Sequence, residues 1–168
     1  NCCSVNGTRG DTLFGTITLA SSSNNNTFTN LTIKHWQDGA DGGAGNDQAA
    51  VRLISGNDNK FINNSINATL TYGFIFDGAT NTTLRDNKIY GLYKHISFSS
   101  NADTAEEFNQ SIDTSNKDMQ NNVTIYYVGP YEHNKIFTNV LAGQILVIYA
   151  HNVSFYNTNA TFVREILV

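Results

Sequence analysis

Charge is scarce in this chain. Its 10 Lys plus Arg and 14 Asp plus Glu make 14% of 168 residues, against about a quarter in ordinary soluble domains. Net charge is −4 and no basic tract occurs. That argues against nucleic acid and anionic membranes as partners. No run of 18 apolar residues occurs, so no membrane-spanning helix is encoded; Leu141–Ala150 is too short and holds Gly143 and Gln144. Cysteine is limited to Cys2 and Cys3. Adjacent cysteines bond each other only through a strained ring, so disulfides to another chain or segment are expected. There is no Gly-x-Ser-x-Gly elbow, no Gly-Lys-Ser/Thr phosphate loop and no Cys/His metal spacing. The chain also lacks an initiator Met, and Asn1 reads as a processed or trimmed start, with a removed signal peptide expected.

What the chain does have is a repeated phrase. Phe28-Thr29-Asn30-Leu31-Thr32-Ile33 returns as Phe61-Ile62-Asn63-Asn64-Ser65-Ile66 and as Leu84-Arg85-Asp86-Asn87-Lys88-Ile89. Looser copies begin at Ile136 and Phe155, with a shortened one at Phe108-Asn109-Gln110-Ser111-Ile112. A second phrase precedes the copies, at Ala50–Gly56, Tyr72–Gly78 and Lys94–Ser100, read at 22-residue spacing. β-Branched and aromatic residues fill the apolar runs, and strong helix formers are scarce, so each unit reads as two or three short strands between polar turns. A period of about 20–25 residues of this kind predicts an all-β chain, a stacked β-solenoid of about six coils. Stacking at the ordinary strand spacing of about 4.8 Å buries apolar faces that no single coil could bury.

Asparagine numbers 24. Asn tolerates left-handed backbone, and its amide can bond the coils above and below. Asn30, Asn63, Asp86 and Asn157 are expected to form such a ladder, with Asn63 at an internal turn. Ten asparagines stand in Asn-x-Ser/Thr: Asn6, Asn25, Asn30, Asn63, Asn67, Asn81, Asn109, Asn122, Asn152 and Asn159. With 30 Ser plus Thr in the chain, about four such triplets would arise by chance. The excess points to an exported, glycosylated protein.

These phrases, over roughly residues 13–165, resemble the right-handed parallel β-helix of the pectin-lyase-like superfamily. One stretch is closer to pectin methylesterases: Asn30-Leu31-Thr32-Ile33 followed by Gln48-Ala49-Ala50-Val51-Arg52-Leu53, and then Gly73-Phe74-Ile75-Phe76. That family carries its nucleophilic Asp where Gly73 stands, and its Gln-Asp-Thr-Leu acid motif has no copy here.

The chain divides by sequence into an arm, residues 1–12, and a β-helix domain, 13–168, with loop insertions at 37–47 and 101–121. Arg52, Asp77, Lys94 and His95 come from successive units, which stacking brings together. A lyase needs a basic residue beside a substrate carboxylate, whereas a hydrolase needs paired carboxylates, so these four are the candidate catalytic group. Asp38, Asp41 and Asp47 on the Gly-rich loop supply hard oxygen ligands suited to calcium. His35, Trp36, Tyr90, Tyr93, Tyr126, Tyr127 and Tyr131 offer faces for sugar rings. The apolar strand Phe162–Val168 favours self-association or continuation of the solenoid. The expected function is an extracellular or cell-surface module of a filament or adhesin, without catalytic activity. Its alternatives are a carbohydrate-active domain, a lyase or esterase on acidic polysaccharide, or a sugar-binding module.

Overall fold

A computed structural model describes residues 4–6, 12–14, 17–20, 22–35, 49–69, 72–92, 94–99 and 104–167. Among them there are strands and turns and no helix. The chain visits three sheets in rotation. It lays down β1 (Ser4–Asn6), β2 (Thr12–Phe14) and β3 (Ile17–Leu19), then β4 (Thr27–Thr29), β5 (Thr32–His35) and β6 (Ala49–Ile54). The next round gives β7 (Lys60–Ile62), β8 (Ser65–Ala68) and β9 (Tyr72–Asp77), and the following one β10 (Thr83–Arg85), β11 (Lys88–Gly91) and β12 (Lys94–Phe98). Then come β13 (Ser111–Ile112) and β14 (Lys117–Asp118). Strands three apart pair in parallel, giving rows β1-β4-β7-β10-β13, β2-β5-β8-β11-β14 and β3-β6-β9-β12. This all-β, mostly parallel topology is consistent with a β-solenoid.

Strands also lie within the arm and within the segment 101–121. The arm contributes β1, paired with β4, and β2, which starts at Thr12 and pairs with β5. The segment 101–121 holds β13 and β14, which extend two rows, so Ile112 rather than Phe108 stacks on Leu84. The insertion at 37–47 lies outside the described residues.

The turns on either side of the first row are built on left-handed Asn or Asp. Asn25, Asp58 and Asn81 precede one row at φ of 57°, 58° and 52°; Asn30, Asn63 and Asp86 follow it at 57°, 55° and 56°. Such backbone is cheap for Asn and Asp and expensive for branched residues. The strand between the two turns keeps one inward residue. Phe28 lies on Phe61 with ring centroids 4.7 Å apart, and Leu84 continues the row. Ile33, Ile66 and Ile89 form the matching row of the second sheet, all fully buried.

The buried polar ladder stands one position beyond the one expected. Asn63 is exposed and donates from Nδ2 to Asn30 Oδ1 at 2.8 Å. Asn64, Asn87 and Asn116 are the internal rungs, with 2%, 0% and 0% exposure. The reason is geometric: the left-handed residue points its side chain outward, and the next residue turns in to start the following strand. A second buried row precedes the first sheet: Asn26 Nδ2 donates to Asn59 Oδ1 at 2.9 Å, and Gln110 Oε1 accepts from Thr82 N–H at 2.8 Å.

After β14 the chain reverses. β15 (Thr124–Val128) is antiparallel to β14, held by Asp118 N–H to Val123 O at 2.8 Å. β16 (Ile136–Thr138), β17 (Leu141–Ile148), β18 (Ser154–Tyr156) and β19 (Asn159–Leu167) then pair as β15-β17-β19 and β16-β18, all parallel. β15 and β17 serve two cores. Ile125, Leu146 and Ile148 join the first core, with Tyr127 packed on it. Val128, Ile145 and Val147 join a second, with Tyr126, Phe137 and Phe155. Alternation along a strand requires this division. Phe137 stacks on Phe155 at 4.7 Å, so Phe137, not Ile136, is the partner of Phe155. Gln144 joins the two blocks: Oε1 accepts from Ile96 N–H at 2.9 Å and Nε2 donates to Ile96 O at 2.7 Å, completing the edge of β12.

Candidate functional site

The 22-residue register holds between β9 and β12, where Phe74 faces Ile96, but the step from β6 to β9 is 23, with Val51 facing Phe74. A step of 22 there would place Arg52 in the row of Phe74, and a one-residue slip exchanges the faces of a strand. With 23, Arg52 faces Ile75 and reaches Asp77, Nη2 to Oδ2 at 2.7 Å. Their side chains are 22% and 13% exposed. This is an ion pair on the outer face of the third sheet, partly withdrawn from water.

Lys94 and His95 lie apart from that pair in character, because both are buried. Lys94 Nζ is 3.5 Å from Ser97 Oγ. His95 Nδ1 accepts from Gly91 N–H at 3.2 Å, which leaves the proton of the neutral ring on Nε2, 3.7 Å from Asp118 Oδ1. Burial lowers the His95 pKa from its ordinary 6.5, and the Asp118 charge opposes part of that shift. Asp118 also accepts from Gln120 N–H at 2.9 Å and from Asn121 Nδ2 at 3.0 Å. Sequence reasoning missed Asp118, a carboxylate at the offset that Ile33, Ile66 and Ile89 fill with an apolar side chain. A carboxylate so engaged, beside a sealed imidazole, orients the hairpin between the two blocks.

Gly73 stands where the resemblance to pectin methylesterases would imply a nucleophilic Asp. A Cβ there would lie 2.5 Å from His95 O and 2.6 Å from Ile89 Cγ2. Gly91 opposite is tighter, with 2.0 Å to Lys94 O and 2.4 Å to Gly73 N. Two glycines let the second and third sheets meet at a corner, and a carboxylate does not fit there.

The expected aromatic platform is dispersed. His35 is buried, with its pKa lowered by that burial. Tyr90 is half-buried with its ring 6.2 Å from His95. Tyr126 and Tyr127 point to opposite faces of β15, and Tyr131 is exposed. The Tyr127 hydroxyl donates to Phe108 O, and burial pushes its pKa upward. Trp36 and Tyr93 lie outside the described residues, as do Asp38, Asp41, Asp47, Cys2 and Cys3. Among the described residues no group of three His, Cys, Asp or Glu is placed to hold a metal.

Eight of the ten sequon asparagines are exposed: Asn25, Asn30, Asn63, Asn81, Asn109, Asn122, Asn152 and Asn159. Asn67 is half-buried on β8, with its Oδ1 sealed from solvent, and Asn6 lies on β1. The turns account for the excess of these triplets. A left-handed Asn, then an inward residue, then a Ser or Thr opening a strand recurs at Asn25, Asn30, Asn63, Asn81, Asn122 and Asn152.

A groove of about 520 Å³ lies where the two blocks meet, lined by Ser111, Asp113, Thr114, Tyr126, Glu132, Lys135 and Phe137 among others. None of Arg52, Asp77, Lys94 or His95 is on its walls. Among the described residues no helix is long and apolar enough to cross a membrane. The chain matches no family model, no curated protein and no solved structure.

Proposed function

We propose that the chain is a non-catalytic module of an extracellular surface layer, filament or adhesin. One observation carries this reading. The four candidate catalytic side chains do not converge on a cleft: Arg52 is bound to Asp77, Lys94 and His95 are buried, His95 beside Asp118, and none of the four lines the groove. General acid–base work needs such groups within reach of a substrate. A lyase or esterase on acidic polysaccharide is the less favoured reading, because Gly73 leaves no space for the nucleophile that the family resemblance implies.

Association is the second part of the proposal. Large exposed apolar side chains concentrate on the second block, at Tyr131, Ile136, Leu141, Tyr149 and Tyr156. β19 pairs with β17 alone among the described residues. Apolar surface and an open strand edge both favour a further strand from a neighbour. The coils are right-handed in this reading, as in the pectin-lyase-like fold, because parallel crossovers almost always take that hand.

Glycans belong on the exposed turn rows. Asn30 and Asn63 are adjacent rungs, 2.8 Å from amide to amide, so at most one of them has room for a glycan. Sedimentation of the exported protein, with peptide mapping before and after enzymatic deglycosylation, tests the reading. Oligomers and modified turn asparagines, one per adjacent pair, are expected. An unmodified monomer would overturn it.

A further inference from the structure

The first row of strands is interrupted. It runs from β1 to β13, and the corresponding row of the second block, β16-β18, is separate. The second row continues without a break through β14, β15, β17 and β19. The groove of about 520 Å³ sits at this interruption, where Ser111 and Ile112 of β13 and Phe137 of β16 all contribute to its lining. Its size falls within the span of about 300–1,000 Å³ usual for small-ligand sites.

We propose that this groove binds a neutral oligosaccharide. A pyranose presents hydroxyls around its rim and apolar CH groups on its faces. The groove answers both. Tyr126 and Phe137 are half-buried, 5.6 Å apart and edge to face, so they give a fixed aromatic surface. Ser111, Asp113 and Thr114 form an exposed strip of hydroxyl and carboxylate oxygens along β13 and its turn, suited to donating and accepting with vicinal hydroxyls. The Asp113 carboxylate is held in place by Ser115, whose N–H donates to Oδ1 at 3.0 Å.

Charge decides against an acidic ligand. The groove's one lysine, Lys135, lies 3.4 Å from Glu132, and Asp113 lies 3.9 Å from Arg85. No cation is left in surplus for a uronate, sulfate or phosphate. The walls are strands and stacked turns rather than long loops, so little ordering is needed on binding. Asn81 and Asn109 also line the groove, and both are sequon asparagines, so a glycan on either would crowd its mouth.

The proposal goes beyond the scaffold reading and stands without it, since a monomer would bind equally well. The test uses the full chain made without glycosylation, run in native gels containing mannan, dextran, arabinogalactan or laminarin, with polygalacturonate as the acidic comparison. Ser111→Tyr and Thr114→Tyr fill the groove from exposed positions outside both cores. The expected result is retardation by at least one neutral polymer, weakened about tenfold in Kd by a filled groove at unchanged melting temperature. If one filler variant misfolds, the other is read. Retardation by none of the neutral polymers, by polygalacturonate alone, or equally in a folded filler variant overturns the proposal, whatever the oligomeric state proves to be.

Discussion

Asn87 holds two neighbouring rungs through one amide. Its Oδ1 accepts from Asn64 N–H at 2.9 Å and Asn64 Nδ2 at 3.1 Å, while its own Nδ2 donates to Phe61 O at 2.8 Å and Asn116 Oδ1 at 2.9 Å. Each partner is buried, so water cannot replace what the side chain supplies. Asn87→Ala leaves several buried groups unsatisfied at about 1–3 kcal/mol each. A loss of at least about 2 kcal/mol by urea denaturation is expected, and a change within about 0.5 kcal/mol would contradict the ladder.

Asn63 should respond differently. It is exposed, with φ of 55°, and its backbone rather than its amide is the constraint. Asn63→Gly is expected to change stability by less than about 0.5 kcal/mol, whereas Asn63→Ala costs about 1 kcal/mol for the left-handed backbone. Equal effects of the two substitutions would show that the amide, not the backbone, matters.

The strand rows were legible in the sequence because Phe28, Phe61 and Leu84 sit at the same offset in each phrase, and their pairing is the one observed. The ladder was misplaced by one residue because Asn63 and Asn64 are chemically identical, and only the turn's handedness says which faces inward. The reversal at Asp118–Thr124 left no mark, since alternation along β15 reads the same in either direction. Arg52 and Asp77 were named together, and they do meet. His95 instead meets Asp118, which ends the row of Ile33, Ile66 and Ile89, where the repeat leads one to expect an apolar residue. The groove was not legible at all, because Ser111 and Phe137 are joined by the reversal and not by any spacing.

Gly73 and Gly91 give a direct check of the esterase resemblance. Gly73→Asp introduces the residue type that the resemblance implies but drives its Cβ to 2.5 Å from His95 O. Loss of cooperative folding, or a destabilisation of about 3 kcal/mol or more, is expected, with no methanol released from methylated pectin. A stable, active variant would contradict the packing.

Acidification should weaken the fold through its buried histidines. Burial holds His95 and His35 below the ordinary 6.5. The folded state therefore binds fewer protons than the unfolded one, and stability falls as pH drops below that value. Urea midpoints measured from about pH 8 to about pH 5 should decline, and His95→Gln should flatten part of the decline. A midpoint that rises on acidification would mean that the His95–Asp118 attraction outweighs desolvation.

Gln144 is expected to couple the blocks. Gln144→Met removes both bonds to Ile96 and leaves two buried backbone groups unpaired, at about 1–3 kcal/mol each. Hydrogen exchange should then show lost protection at Ile96, while Phe28 and Phe61 keep theirs. Uniform loss along the chain would contradict a local joint.

We propose that the chain performs no chemistry on acidic polysaccharide. The decisive measurement incubates the purified chain with polygalacturonate and methylated pectin and follows unsaturated uronate, reducing ends and methanol. The expected result is no product above a boiled control. Product that forms with turnover and disappears in Arg52→Ala or His95→Ala, each shown to be folded, would make the chain an enzyme on these polymers.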